Sequence, residues 1–242
     1  MKVFALADLH LSFAEKGEDN NWQNVKENKP MAVFGPAWQQ HPQQIFANWQ
    51  ETVAPNDVVL VAGDISWGMN FADCVGDFDF LSQLPGKIVL CRGNHDYWWG
   101  GIGKVRAALP ANVTALQNDA CLVGSRAICG TRGWLSPGSY GFAAQDKKIF
   151  AREVLRLKMA LAAGAKMADR LVVLTHYPPF NDRVDENAFN ALMHSYGVER
   201  CVFGHIHGAE LLPPLPKEKW GIQFDLTSAD WLDFKPALLW EE

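Results

Sequence analysis

Residues 87–96 read KIVLCRGNHD. The first five form a short, nearly continuous apolar run with β-branched members, the composition of a strand buried on both faces. Arg92-Gly93-Asn94-His95-Asp96 then breaks the run with polar side chains. The same pattern recurs elsewhere in the chain. Residues 2–7 (KVFALA) lead into Asp8-Leu9-His10, and residues 58–62 (VVLVA) into Gly63-Asp64. Residues 171–175 (LVVLT) lead into His176-Tyr177-Pro178-Pro179, and residues 201–203 into Gly204-His205-Ile206-His207.

Segments of helical spacing lie between these runs. Ile45, Trp49 and Val53 recur every four residues, and Phe71, Val75, Phe78 and Leu81 follow a looser helical spacing. Ile102, Val105 and Leu109 do the same before Pro110. Residues 146–163 predict the longest helix, closed by Gly164, and residues 185–196 another, ended by Gly197. Strands alternating with helices predict an α/β architecture with a largely parallel central sheet. Residues 113–115, 121–123, 127–129, 221–227 and 237–240 read as further short strands, which predicts a second, mixed sheet. No repeat or linker interrupts the chain, so residues 1–242 are read as one domain. Residues 12–38 lack periodicity and carry Gly17, Glu18, Asp19, Asn20 and Asn21, as a long insertion that is either functional or mobile would.

Composition narrows the function classes. The 242 residues are 48% hydrophobic and 20% charged, with a formal charge of −5. A net negative chain without a Lys/Arg run argues against nucleic-acid binding and against adhesion to anionic lipid. A phosphate substrate stays open, because bound cations reverse the local sign. The first apolar run ends at Asp8, too short for a signal peptide, and no stretch approaches the ~18 apolar residues of a spanning helix. The cysteines, five in all, are scattered without a CxxC pair and read as reduced thiols of a cytoplasmic protein.

In an open α/β sheet, ligands bind beyond the carboxyl ends of the strands. The five strand-to-polar junctions deliver Asp8, His10, Asp64, Asn94, His95, His176, His205 and His207 to that edge. Carboxylate and carboxamide oxygens with imidazole nitrogens suit divalent Mn, Fe, Zn, Co or Ni. No cysteine joins them, which disfavours a closed structural zinc site. Seven oxygen and nitrogen donors exceed one tetrahedral metal and suit two, with a shared carboxylate. Two metals ~3.5–4 Å apart clamp the attacking and leaving oxygens of a displacement at phosphorus.

D-x-H, G-D, G-N-H-D, H-x-P-P and G-H-x-H, in this order after strands, resemble the calcineurin-like metallophosphoesterase superfamily. The resemblance runs over residues ~1–210. It implies a four-layer αββα sandwich of two mixed sheets, with a dinuclear centre at the strand ends. It implies that Asp8, His10 and His207 hold one metal, Asn94, His176 and His205 the other, and that Asp64 bridges them. His95 would touch substrate, as the catalytic acid or hydrogen-bond donor. The expected reaction is hydrolysis of a small phosphate mono- or diester by metal-bound hydroxide, without a phosphoenzyme. The chain departs from the protein-serine/threonine-phosphatase branch. Gly63-Asp64 continues as Ile65-Ser66-Trp67-Gly68 rather than to Asp-Arg-Gly, and that branch's His-orienting Asp is missing. It is more similar to small bacterial-type phosphohydrolases.

Other residues carry weaker expectations. Arg132, flanked by glycines after a strand, suits a substrate phosphate or a structural ion pair. Arg92 reads as a buried ion pair. Trp67, Tyr97, Trp98 and Trp99 suit either pocket wall or core, and residues 134–142 a lid loop. Asp96 is one candidate to orient the His95 ring. His41 and His194 read as structural. A non-catalytic scaffold or a metal-dependent nuclease on the same fold are the rival functions.

Overall fold

The computed structural model describes residues 1–16, 22, 25–208 and 215–242. Residues 17–21, 23 and 24 of the expected insertion lie outside the described residues. In chain order the elements are β1 (Lys2–Ala5), α1 (His41–Thr52), β2 (Val58–Val61), α2 (Val75–Gln83), β3 (Lys87–Cys91) and α3 (Ile102–Ala108). They continue with β4 (Val113–Leu116), β5 (Asp119–Val123), β6 (Arg126–Thr131), α4 (Asp146–Gly164), β7 (Arg170–Thr175) and α5 (Ala188–Ser195). The last strands are β8 (Val198–Phe203), β9 (Glu218–Lys219), β10 (Ile222–Leu226) and β11 (Ala237–Glu241).

One sheet has the order β11-β1-β2-β3-β4 and the other β5-β6-β7-β8-β10-β9. β1 to β4 are parallel, with β11 added antiparallel at the edge. β6, β7, β8 and β10 are parallel, flanked by antiparallel β5 and β9. Both sheets are therefore mixed. The period-two alternation of the strands sorts their side chains into three apolar layers. Val3, Ala5, Leu60 and Val89 face Ile128, Val172, Leu174 and Val202 between the sheets. Phe4, Val59, Val61 and Leu90 point the other way, onto Ile45 and Trp49 of α1 and Phe80 and Leu81 of α2. Cys129, Val173 and Cys201 meet Leu157 and Leu161 of α4 and Met193 of α5 on the far side. The result is an αββα sandwich.

Several sequence expectations change in detail. The strands expected of one central sheet are divided, since β7 and β8 belong to the second sheet, while tail strand β11 joins the first. All are equally apolar, so composition does not say which sheet takes them. Gly164 does not cap α4; it is the helix's last residue, followed by Ala165 in helical conformation. A Cβ at Gly164 would overlap Cys129 Sγ, so this glycine lets the helix lie close on β6. Helix α5 starts at Ala188 rather than 185, because Asn187 accepts from the Phe189 and Asn190 amides in a capping box. It ends as expected before Gly197, whose φ of 67° is the left-handed conformation glycine tolerates. Within the expected insertion, Trp22, Met31 and Trp38 are buried in the α1–α2 core. All five cysteines are free thiols, and Cys121 is the one that is not buried.

Candidate metal centre

The strand ends carry the chemistry. Asp8 and His10 follow β1, Asp64 follows β2, Asn94 and His95 follow β3, His176 follows β7, and His205 and His207 follow β8. The loops after β1 and β2 are laced together: Asp8 N donates to Gly63 O (3.0 Å), and His10 N to Asp64 O (3.0 Å). Four of these residues have left-handed backbone: Asp8 (φ 57°), His10 (46°), Asp64 (52°) and His205 (72°). Such conformations cost ~1–3 kcal/mol each and persist where the surroundings over-determine them, as at active sites.

The side chains converge. Asp8, His10 and His207 offer one ligand atom each within 4.8 Å of one another, and so do Asp8, Asp64 and His176. His10 Nε2 lies 3.4 Å from His207 Nε2 and 3.8 Å from Asp64 Oδ2. His176 Nε2 lies 2.6 Å from Asn94 Oδ1, 3.1 Å from His205 Nδ1 and 3.5 Å from Asp64 Oδ2. All seven expected donors thus come into one cluster, and Asp64 stands between its two halves.

The electrostatics fit a cation. Burial pushes the Asp8 carboxyl up to about 8, with the nearby Asp64 charge adding to it. Burial also raises Asp64. Burial lowers His176 to about 3 and His205 to about 2, and holds His10 well below its ordinary value. His10, His176 and His205 are therefore held neutral, the form in which an imidazole can bind a cation, and the two buried carboxylates have His207 as the nearby imidazole that is raised rather than lowered. Oxygen and imidazole donors around such a pair match a divalent ion. His207 is the exception. Burial lowers it, but the hydrogen bond to Asp230 and the Asp8 charge raise it on balance.

Asp230 was not expected. Its Oδ1 lies 2.9 Å from His207 Nδ1, and its Oδ2 accepts from Gly208 N at 2.9 Å. A carboxylate on the far nitrogen fixes the tautomer that leaves Nε2 free for a metal. Asp230 follows β10 as the other polar residues follow their strands, so the strand-then-polar pattern was a signal for it. His176 is fixed similarly, with Nδ1 3.0 Å from Ala62 O.

Asp96 does not hold His95. Its carboxylate accepts from the Gly93, Asp64, Ile65 and Ser66 amides and from Trp98 Nε1 (2.7–3.1 Å), fixing the turn that carries Asp64. The His95 amide in turn donates to Asp64 Oδ1 at 2.8 Å. The His95 ring packs on Trp67, with centroids 4.3 Å apart, and its buried Nδ1 has no partner among the described residues. Trp67 also stacks on His10 at 5.0 Å, and Trp38 meets His10 edge-on at 5.9 Å. Trp98 and Trp99 are core residues instead, and Tyr97 is exposed. Trp38 was not legible in the sequence. His41 is buried, its Nε2 3.0 Å from Leu9 O, and His194 Nδ1 lies 2.9 Å from Trp220 O, so both are structural.

Arg132 lies beside the cluster. Its carbonyl accepts from His176 N (3.0 Å) and Tyr177 N (3.1 Å), while its guanidinium lies 4.6 Å from the Trp134 ring and 3.8 Å from Glu153. Residues 135, 136, 139 and 140 of the expected lid line a cavity of about 520 Å³, which His205 also lines.

A family model described as calcineurin-like phosphoesterase matches residues 1–209. The chain belongs to this family. The chain is 34% identical over 96 residues to the gene 66 protein of Mycobacterium phage D29. That match spans 39% of this chain and 40% of the phage protein's length. A protein of unknown function, AQ665 from Aquifex aeolicus, shares the fold at a TM-score of 0.50 and 13% identity, over 98% of this chain and 95% of its own. GAP50, the anchor in the inner membrane complex of Plasmodium, aligns at a TM-score of 0.48 and 14% identity, over 95% of this chain and 72% of its own. Among the described residues, no helix is long and apolar enough to cross a membrane.

Proposed function

We propose that the protein is a metal-dependent phosphoesterase with a dinuclear centre, acting on a small phosphate mono- or diester. The observation that carries this is the convergence of seven oxygen and nitrogen donors from five strand ends, with imidazole nitrogens facing each other at 3.1 and 3.4 Å. Asp8, His10 and His207 would hold one ion, Asn94, His176 and His205 the other, and Asp64, whose Oδ2 lies 3.8 Å from His10 Nε2 and 3.5 Å from His176 Nε2, would be shared between them. Bound divalent ions would supply an activated water and charge compensation at phosphorus. Mn, Fe, Zn and Ni all accept this donor set.

The chain's own residues supply the rest. His95 stands next to the Asn94 ligand, braced by Trp67 rather than by a carboxylate. It gives a proton or hydrogen bond to the departing oxygen. Trp38 and Trp67 wall the cluster on the His10 side and limit access of bulk water. The organic part of the substrate lies in the cavity beside His205, against Phe180, Val184 and Ile206.

The test is a hydrolysis panel on chelator-treated protein reloaded with Mn, Fe, Zn or Ni. Chromogenic monoesters, diesters and pyrophosphates are the substrates. Metal-dependent release of product from one class is the expected result. A fully metal-loaded protein that hydrolyses none of them would be a non-catalytic scaffold.

A further inference from the structure

Beside the metal cluster lies a second cavity, of about 220 Å³, with an unusual charge pattern. Arg92, Arg132, Arg152 and Arg156 all line it, and the acidic residue lining it is Glu153. The lining thus carries an excess of three positive charges. Glu153 is fully buried, accepting from Arg156 Nη1 (2.6 Å) and Thr131 Oγ1 (3.2 Å), with Arg132 Nη2 at 3.8 Å. One carboxylate does not neutralise four guanidinium groups. The Nε atoms of Arg92 and Arg132 are buried without a hydrogen-bond partner among the described residues, which costs free energy unless a ligand supplies an acceptor.

The arginines are held ready. Arg132 is braced over the Trp134 ring at 4.6 Å, and Arg156 is anchored by its bond to Glu153. A planar guanidinium presents a fork of donors that matches phosphate oxygens, and several around one cavity favour a multiply charged anion. The cavity also adjoins the proposed reaction centre. Arg92 is two residues from Asn94, a separation of at most about 7 Å along the chain. The Arg132 carbonyl accepts from the amide of His176.

We infer that this cavity binds a second phosphoryl group of the substrate, one that is not hydrolysed. The substrate class is therefore a small molecule with at least two phosphoryl groups. These are either joined as in a nucleoside diphosphate or carried at separate positions. The word substrate rests on the phosphoesterase reading; the binding of phosphate by the arginines does not.

The experiment is calorimetric titration of the full-length, metal-loaded protein with inorganic phosphate, beside the double variant Arg152→Gln, Arg156→Gln. Both substitutions lie on α4, toward its solvent side, and circular dichroism checks the fold. The double variant is expected to bind one phosphate fewer per chain than the wild type. This holds whether or not the metals also bind phosphate, so failure of the metal reading leaves the test intact. Equal stoichiometry in the two proteins overturns the inference. A kinetic comparison then reads selectivity. The ratio of kcat/KM for a nucleoside diphosphate, and for a sugar bisphosphate, to that for p-nitrophenyl phosphate is measured in both proteins. Loss of charge-assisted hydrogen bonds should lower one of these ratios roughly 10- to 100-fold, and which one falls identifies the arrangement of the two groups. If both ratios are unchanged, the arginines do not hold a non-scissile phosphoryl group.

Discussion

Replacing Asp230 with alanine should weaken one metal site and spare the other. Asp230 touches His207 Nδ1 at 2.9 Å and the Gly208 amide at 2.9 Å, and its side chain is 11% exposed. Removing it frees the imidazole to rotate, lets the tautomer with Nε2 protonated compete, and leaves the Gly208 amide without its acceptor. Loss of such an outer partner typically costs 10- to 100-fold in metal affinity, or ~1.4–2.7 kcal/mol. Asp8 and His10 remain on that side, so the site should be weakened and not abolished. Asp230→Asn keeps an acceptor for Nδ1 and should fall between alanine and wild type. The assay is competition for Mn or Zn against a chromogenic chelator at pH 8, which resolves two classes of affinity. One class should weaken in Asp230→Ala while the other stays within about twofold. Equal weakening of both, or no change, would refute the assignment of His207 and Asp230 to one half of the centre.

His95→Ala should keep both metals while kcat falls roughly 10²- to 10⁴-fold for an alkyl phosphate. The loss should be much smaller for p-nitrophenyl phosphate, whose leaving group needs no proton; equal losses would leave His95 as a phosphate-binding residue only. Gly93→Ala should empty the centre, because a Cβ there would overlap both the Asp64 carboxylate and its amide, whereas Gly100→Ala has nothing within 4 Å and should load normally. Elemental analysis of the two purified variants decides this. Asp77 provides a pH prediction. Burial pushes its carboxyl up from 3.8 to about 7, so the folded chain retains a proton between these values that the unfolded chain has lost. Stability from this group therefore declines as pH rises from about 4 and is fully lost above about 7, by on the order of 4 kcal/mol at most. Asp77→Asn can still pair with the Phe13 amide and the Ser66 hydroxyl, so urea denaturation should favour the variant increasingly from pH 4.5 to 8. A gap that does not change with pH would contradict this.

The metal cluster was legible because strand ends are. β3 spans the residues its apolar run occupies, Lys87–Cys91, and the polar break after it sets Asn94 and His95 at the sheet edge. The same reading placed the other strand-end donors, since each lies within five residues of the end of its strand. Sheet membership was not legible. β7 and β8 have the same buried, β-branched composition as β2 and β3, and pairing is decided by contacts between distant segments. Gly164 shows a second limit. A glycine at a helix end reads as a cap, but here the missing Cβ makes room for Cys129 on another layer. The roles of aromatic residues also depend on distant partners. Trp98 and Trp99 sit in the core while Trp67 covers His10 and His95, although all four aromatics of the motif loops looked alike. Arg92 reads from the sequence as a buried ion pair, and Arg132 as either a phosphate contact or an ion pair. Their common cavity with Arg152 and Arg156 emerges only when α4 packs beside the ends of β3 and β6.

A two-metal centre that hydrolyses phosphate esters has a signature that a single titration reads out. Chelator-treated protein is titrated with Mn while release of product from a responsive phosphate ester is followed, with bound metal counted in the same samples. No activity is expected without metal, followed by a rise that saturates at two ions per chain. Asp64→Ala should lose ions from both halves together, since the Asp64 carboxylate lies 3.8 Å from His10 Nε2 and 3.5 Å from His176 Nε2. Full activity in the metal-free protein, or a full complement of two ions in Asp64→Ala, would contradict the two-metal centre.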